Sequence, residues 1–219
     1  MRVLEQRLSA KGLIARGAFH PEPEDGVPGT PGTLFLVGNA GPSMWQAFEA
    51  VRGDYADSLS PLDDWLRDVL SVIAGEVGAR ALFPFGGPPY LPFQRWARKG
   101  EAVHPSPLGV LIHPEYGLWH AYRGALAFSE RLDIAPREAY PSPCETCVDK
   151  PCLSACPVDA FSGDVYDVPS CTAYLATLDG VDCVTRGCRA RRACPVGSEF
   201  VYAPRQAEFH MRAFTRANG

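Results

Sequence analysis

Through its first 143 residues the chain contains no cysteine. No disulfide framework can hold that part together, so its apolar residues must build an ordinary core. Long apolar runs are missing as well. No uninterrupted stretch approaches the roughly 20 residues that a bilayer-spanning helix needs. The opening "MRVLEQRLSAKGLIARG" scatters charges through its apolar positions and lacks the continuous apolar centre of an export signal. The expected location is therefore the cytoplasm, with no membrane partner. Positive charge is not in excess either: the net charge is −4, which argues against a nucleic-acid footprint spread over the whole surface. There is no internal repeat and no glycine-rich phosphate loop following a strand.

What is present begins with turns. Twenty-one glycines and 21 prolines in 219 residues point to many irregular connections and exclude a simple helical bundle. Residues 2–11 read as a short helix, followed by a strand near "LIARGAFH". "TLFLVG" (33–38) has the continuous apolar character of a buried strand, and "NAGPSMWQAFEAVRG" leads from a turn into a helix. Ser60-Pro61-Leu62-Asp63 is a helix start, with a capping serine, proline in the first turn and a carboxylate three residues on. That helix should run to about Gly78 and bury Leu62, Trp65, Leu66, Val69, Leu70 and Ile73 at helical spacing. "ALFPF" (81–85) predicts a short strand, and Leu91 to Arg98 a helix. "LGVLIH" (108–113) and "LWHAYRGALAF" (118–128) read as two strands around "PEYG", a hairpin-like signal. "APRQAEFHMRAFTRA" closes the chain as an amphipathic helix, with Phe209, Met211 and Phe214 available to dock on the core.

All eight cysteines lie between Cys144 and Cys194. The first group is Cys144-x2-Cys147-x4-Cys152-x3-Cys156-Pro157, and the second is Cys171, Cys183, Cys188 and Cys194, the last followed by Pro195. Thiolates are soft, strongly donating ligands, and four complete the outer valences of one [4Fe–4S] cube. Eight would supply two cubes. In bacterial-type two-cluster ferredoxins the Cys-Pro cysteine serves the other cluster. Applied here, Cys144, Cys147, Cys152 and Cys194 would hold one cube, and Cys156, Cys171, Cys183 and Cys188 the other. The x4 and x5 insertions depart from that pattern and leave the pairing open. Zinc and disulfides are the competing readings; a single C-x2-C pair and two Cys-Pro endings favour iron–sulfur over zinc. Arg186, Arg189, Arg191 and Arg192 surround the second group. They would stabilise a reduced cluster or dock an acidic partner, or form an ordinary solvated loop.

The cysteine half, with "CTAYLATL" after Cys171, resembles the dicluster module of epoxyqueuosine reductases and reductive dehalogenases. Those enzymes pass electrons from two cubes to a cobalamin held by a nitroreductase-like domain. The run His113-Pro114-x-Tyr116-Gly117-x-Trp119-x-Ala121-x-Arg123-Gly124 is similar to a stretch of the CblC-type cobalamin-processing family. "FPFGGPPYLPFQRWA" (83–97) resembles the loop and helix before it. The resemblance implies a corrinoid, or failing that a flavin, near His113, Tyr116, Gly117, Trp119 and Arg123. Each of these has a structural alternative. Tyr116 and Trp119 would serve as core aromatics, Gly117 as a turn residue, Arg123 in an ion pair and His113 in a hydrogen-bonded turn. His20, His104, His120 and His210 show no metal-ligand spacing and read as structural. The Arg-Asp-Tyr-His segment and C-terminal extension of epoxyqueuosine reductases are absent, so epoxyqueuosine reduction is not expected.

The expected fold is α+β. A nitroreductase-like α/β sandwich over 1–140 would precede a small two-cluster ferredoxin-like domain over 141–205, with a C-terminal helix over 206–219. The expected function is an iron–sulfur oxidoreductase that takes electrons from a redox partner protein and passes them singly to a corrinoid. A ferredoxin-like carrier with no second cofactor, its first domain docking a partner, is the alternative, and a binding module with structural clusters a third.

Overall fold

The computed structural model describes residues 2–162 and 165–219. The chain divides into two compact units, each assembled from two segments: 1–102 with 120–139, and 103–119 with 140–219.

The first unit is built on a four-stranded antiparallel sheet. Its strands are β1 (Ile14–Phe19), β2 (Thr33–Ala40), β3 (Arg80–Leu82) and β4 (His120–Phe128), in the spatial order β1-β2-β4-β3. β2 lies inside the sheet, and Thr33 to Asn39 are all buried. A strand covered on both faces cannot alternate with polar residues, hence the unbroken "TLFLVG". Four helices accompany the sheet: α1 (Arg2–Ser9), α2 (Ser43–Val51), α3 (Pro61–Glu76) and α4 (Phe93–Gly100). α3 buries Leu62, Trp65, Leu66, Leu70, Ile73 and Ala74, the stripe expected from its 3.6-residue period except that Val69 is only half-buried. Ser60 takes the N-cap position and Pro61 opens the helix, but the serine side chain makes no capping hydrogen bond. Trp45, Phe48 and Trp65 interlock with ring centroids 5.4 and 5.6 Å apart.

The expected hairpin over 108–128 does not form. β4 pairs instead with β2 and β3, whereas Leu111–Ile112 pairs with His104–Pro105 in the second unit. The reason is burial. Ala125 and Leu126 have no exposed surface, and in the ladder they lie opposite Leu36 and Phe35.

The second unit is mostly short helices and turns. Its longer elements are α5 (Val168–Leu175), α6 (Val181–Arg186) and α7 (Pro204–Asn218). α7 packs against α5 and α6, with Gln206 and Ala207 buried; Phe209, Met211 and Phe214 are half-buried, Phe214 stacking on Tyr166. One apolar cluster joins Leu108, Ile112, Leu118, Cys152 and Ala190; a second joins Trp119, Tyr202 and Ala207. The architecture is mixed α+β. The small two-cluster ferredoxin-like domain expected over 141–205 is not found, for a reason that lies in the sulfurs.

Candidate functional site

Short helical turns place the cysteines. Pro143–Thr146 carries Cys144, whose amide donates to the Ser142 side chain at 3.3 Å, and ends at Cys147. Pro151–Ser154 carries the buried Cys152. Asp167 caps α5, its carboxylate accepting from the Ser170 amide at 3.0 Å, and this helix presents Cys171. α6 carries Cys183. Cys188 caps the turn Arg189–Arg192, and Cys194 follows it.

All eight thiols are free, and their electrostatic neighbours divide them into two groups. Burial first, and then the proximity of Cys194, Cys152 and Cys147, holds the Cys144 thiol above its usual range. Cys152 is raised by burial and by Cys194 and Cys147. Burial raises Cys171 and Cys188 as well, with Cys156 and Cys183 beside the former and Cys183 and Cys171 beside the latter. Cys194 therefore falls with the first group and Cys156 with the second. Amides of Arg191 and Ala190 onto Cys188, and of Val196 onto Cys194, oppose the shifts of those two thiols, and the Ala160 amide donates to Cys156 Sγ at 3.3 Å. The Tyr166 hydroxyl donates to Cys171 in the same sense.

Proximity is not ligation. Among the described residues, no group of three or more histidine, cysteine, aspartate or glutamate side chains is placed to hold a metal ion. This overturns the two [4Fe–4S] clusters, and with them the dicluster module that the resemblance implied. The sulfurs are near enough to feel one another's charge without converging as a ligand set. Without clusters, the single-electron supply to a cobalamin or flavin loses its source, and so does the alternative of a ferredoxin-like carrier. The redox partner protein and the corrinoid fall with it.

The arginines near the second group are engaged inside the unit. Arg186, Arg189 and Arg192 all pair with Asp182, whose carboxyl is held below the usual range by the Arg189 hydrogen bond and the Arg192 charge. The Arg191 guanidinium donates to the Leu118 carbonyl at 3.0 Å through Nε, between the rings of Trp119 (4.4 Å) and Tyr202 (4.6 Å). Three of these guanidinium groups share one carboxylate, so the loop keeps a net positive charge while its side chains are held within the unit.

The hairpin residues meet the same loop. His113 and Gly117 exchange backbone hydrogen bonds of 2.9 and 3.0 Å across a tight turn, and His113 Nδ1 accepts from the amides of Glu115 and Tyr116. Its ring stacks on Tyr116 at 4.3 Å, and Tyr116 meets Phe200 edge-on at 5.0 Å. Gly117 has φ +56°, and a Cβ there would lie 1.9 Å from the Val196 carbonyl oxygen; reciprocally, a Cβ on Gly197 would lie 2.4 Å from the Tyr116 carbonyl. Four of the five residues assigned to a cofactor thus belong to the sulfur-bearing unit. Arg123 does not: it sits in the first unit at a register irregularity of β4, its Nε donating to Asn39 Oδ1 at 2.8 Å. Asp182, Tyr166 and Tyr202 escaped the sequence analysis, because nothing in their spacing distinguishes them from surface or core residues.

The first unit has two polar features of its own. Arg16, its side chain 1% exposed, makes a forked pair with Glu101 at 2.7 and 2.8 Å, and Tyr122 also donates to Glu101. An open cleft of about 490 Å³ lies at the start of α3, lined by Asp63, Asp64, Arg67, Phe85 and Tyr90 among others.

The fold and the site together define a mixed α+β protein with a thiol-rich second unit. No family model and no curated protein matches the sequence. Solved structures do match. The chain is similar to epoxyqueuosine reductase from Streptococcus thermophilus at 14% identity and a TM-score of 0.58, covering 94% of this chain and 69% of that one. It is similar to a C. elegans B12-trafficking protein CblC at 15% identity and a TM-score of 0.58, covering 97% and 90%. A further epoxyqueuosine reductase, solved with an epoxyqueuosine-modified tRNA stem loop, matches at 13% identity and a TM-score of 0.54. At such identities the likeness is one of fold. No helix among the described residues is long and apolar enough to cross a membrane.

Proposed function

We propose that this protein acts through its sulfurs, as a reversible dithiol–disulfide centre. The observation that carries the reading is the partition of eight free thiols into two neighbouring groups of four, several of them facing backbone amides. An amide aimed at sulfur favours the thiolate, the form that attacks a disulfide, while burial restrains it. In the reaction, two thiols of one group lose two electrons and two protons in forming a disulfide. A low-molecular-weight disulfide takes them up and leaves as two thiols. His113, Tyr116, Gly117 and Trp119 serve this centre by bracing the segment from Arg191 to Gly197, and Arg123 by fixing β4 in the first unit. A cytoplasmic location belongs to the proposal, since free thiols persist in a reducing compartment.

The test equilibrates the whole chain in glutathione mixtures of graded potential, traps free thiols by alkylation and counts them by mass. The expected result is a loss of thiols in twos, reversed by dithiothreitol, with bridges mapped within a group. Eight free thiols across the entire range, or bridges joining the two groups, would overturn it.

A further inference from the structure

From the cleft of the first unit we infer a binding site for a small organic cation, an ammonium or amidinium group carried on a flat apolar body. This inference is independent of the thiol reading, since every lining residue lies in the first unit. Its volume, about 490 Å³, falls within the range of small-molecule sites.

The charge balance of the lining decides the sign of the ligand. Three ionisable side chains that carry charge at neutral pH face the cleft: Asp63, Asp64 and Arg67. Asp64 and Arg67 cancel, because the Arg67 guanidinium is paired with the Asp64 carboxylate, which also accepts from the Ser58 hydroxyl. Asp63 remains. It is half-buried and has no hydrogen-bond partner among the described residues. Arg67 and Arg123 lower its affinity for a proton from a distance, but burial outweighs them and holds the carboxyl above its usual range. A partly desolvated carboxylate without a donor is a site for a charged donor.

Aromatic surface completes the recognition. Phe85 stacks on Phe83 at 5.2 Å, and one face of its ring carries the Arg67 guanidinium at 5.3 Å, so a cation is already accepted against it. Tyr90 is 68% exposed at the cleft edge, and Leu59 is 98% exposed. Both are large apolar groups left in water, and a flat apolar ligand body would cover them. An anion would meet the Asp63 carboxylate and find Arg67 already engaged by Asp64.

Benzylammonium is a suitable probe, compared by calorimetric titration of the whole chain with benzyl alcohol and benzoate. The expected outcome is one saturable site for benzylammonium, with neither other compound competing for it, and an affinity about tenfold lower in Asp63→Asn. Phe85→Leu should weaken the same binding while leaving the Asp63 carboxylate in place, so the test survives if Asp63→Asn fails to fold. Equal affinity in both variants, no saturable binding, or displacement of the probe by benzoate would overturn the inference.

Discussion

Replacing Gly117 with alanine tests whether the turn at 113–117 holds the loop that bears Cys194. The added Cβ would lie 1.9 Å from the Val196 oxygen and 2.6 Å from its carbonyl carbon, and both are backbone atoms that no rotamer change can move aside. The segment must retreat by more than about 1 Å to regain ordinary van der Waals separation. Overpacking of this kind costs about 1–3 kcal/mol. Gly117 also has φ +56°, a conformation that costs a residue with a side chain about 1–2 kcal/mol. Together these give a destabilisation of about 2–5 kcal/mol. Urea denaturation followed by tryptophan fluorescence should show a lower midpoint. The displaced Val196 amide, which now faces the Cys194 sulfur, should leave that thiol more open to alkylation in the native state, with Cys171 as the control in the other group. An unchanged midpoint together with an unchanged Cys194 rate would refute the bracing role of the turn.

Arg191→Lys keeps the charge but loses the planar fork between Trp119 and Tyr202 and the Nε bond to Leu118, so a loss of about 2 kcal/mol is expected by denaturant titration. Glu101→Gln leaves the Arg16 guanidinium buried and half-paired. It should cost about 3 kcal/mol, seen as a lower thermal midpoint of the first unit. Asp25 governs part of the acid stability. Burial raises its carboxyl, but the Glu22 amide and the Lys99 ammonium more than offset this, and the net position is below the usual value. A lowered carboxyl stabilises the fold fully above its unfolded value and loses that contribution as pH falls through the folded one. Asp25→Asn should therefore flatten the acid limb of the midpoint measured between about pH 2 and about pH 6. Asp182→Asn removes the common partner of Arg186, Arg189 and Arg192, and should raise the alkylation rate of Cys188 more than that of Cys147.

Periodic and continuous patterns were readable from the residues. The stripe on α3 and the unbroken run in β2 both follow from burial, which writes a repeat into the sequence of the element that suffers it. The eight cysteines stood out by spacing, yet spacing reports only how far apart sulfurs lie along the chain. It does not report whether they converge as a ligand set, and among the described residues no such set is found. The arginines of 186–192 were visible as a charge cluster. Asp182, four residues upstream of the first of them, decides where three of those guanidinium groups are held.

By itself, then, the sequence determined the α+β composition, the main helix, the buried strand and the confinement of all thiols to the C-terminal part. These depend on local periodicity or on bare chain position. Tertiary structure decided the rest. It paired β4 with β2 and β3, assigned residues 103–119 to the sulfur-bearing unit, and brought Gly117 against Val196. It also decided between the groupings that the cysteine spacing left open, with Cys194 beside the first thiols and Cys156 beside the second. Each of these joins segments distant along the chain. Such contacts are selected by which surfaces exclude water together, and no single stretch of sequence records that choice.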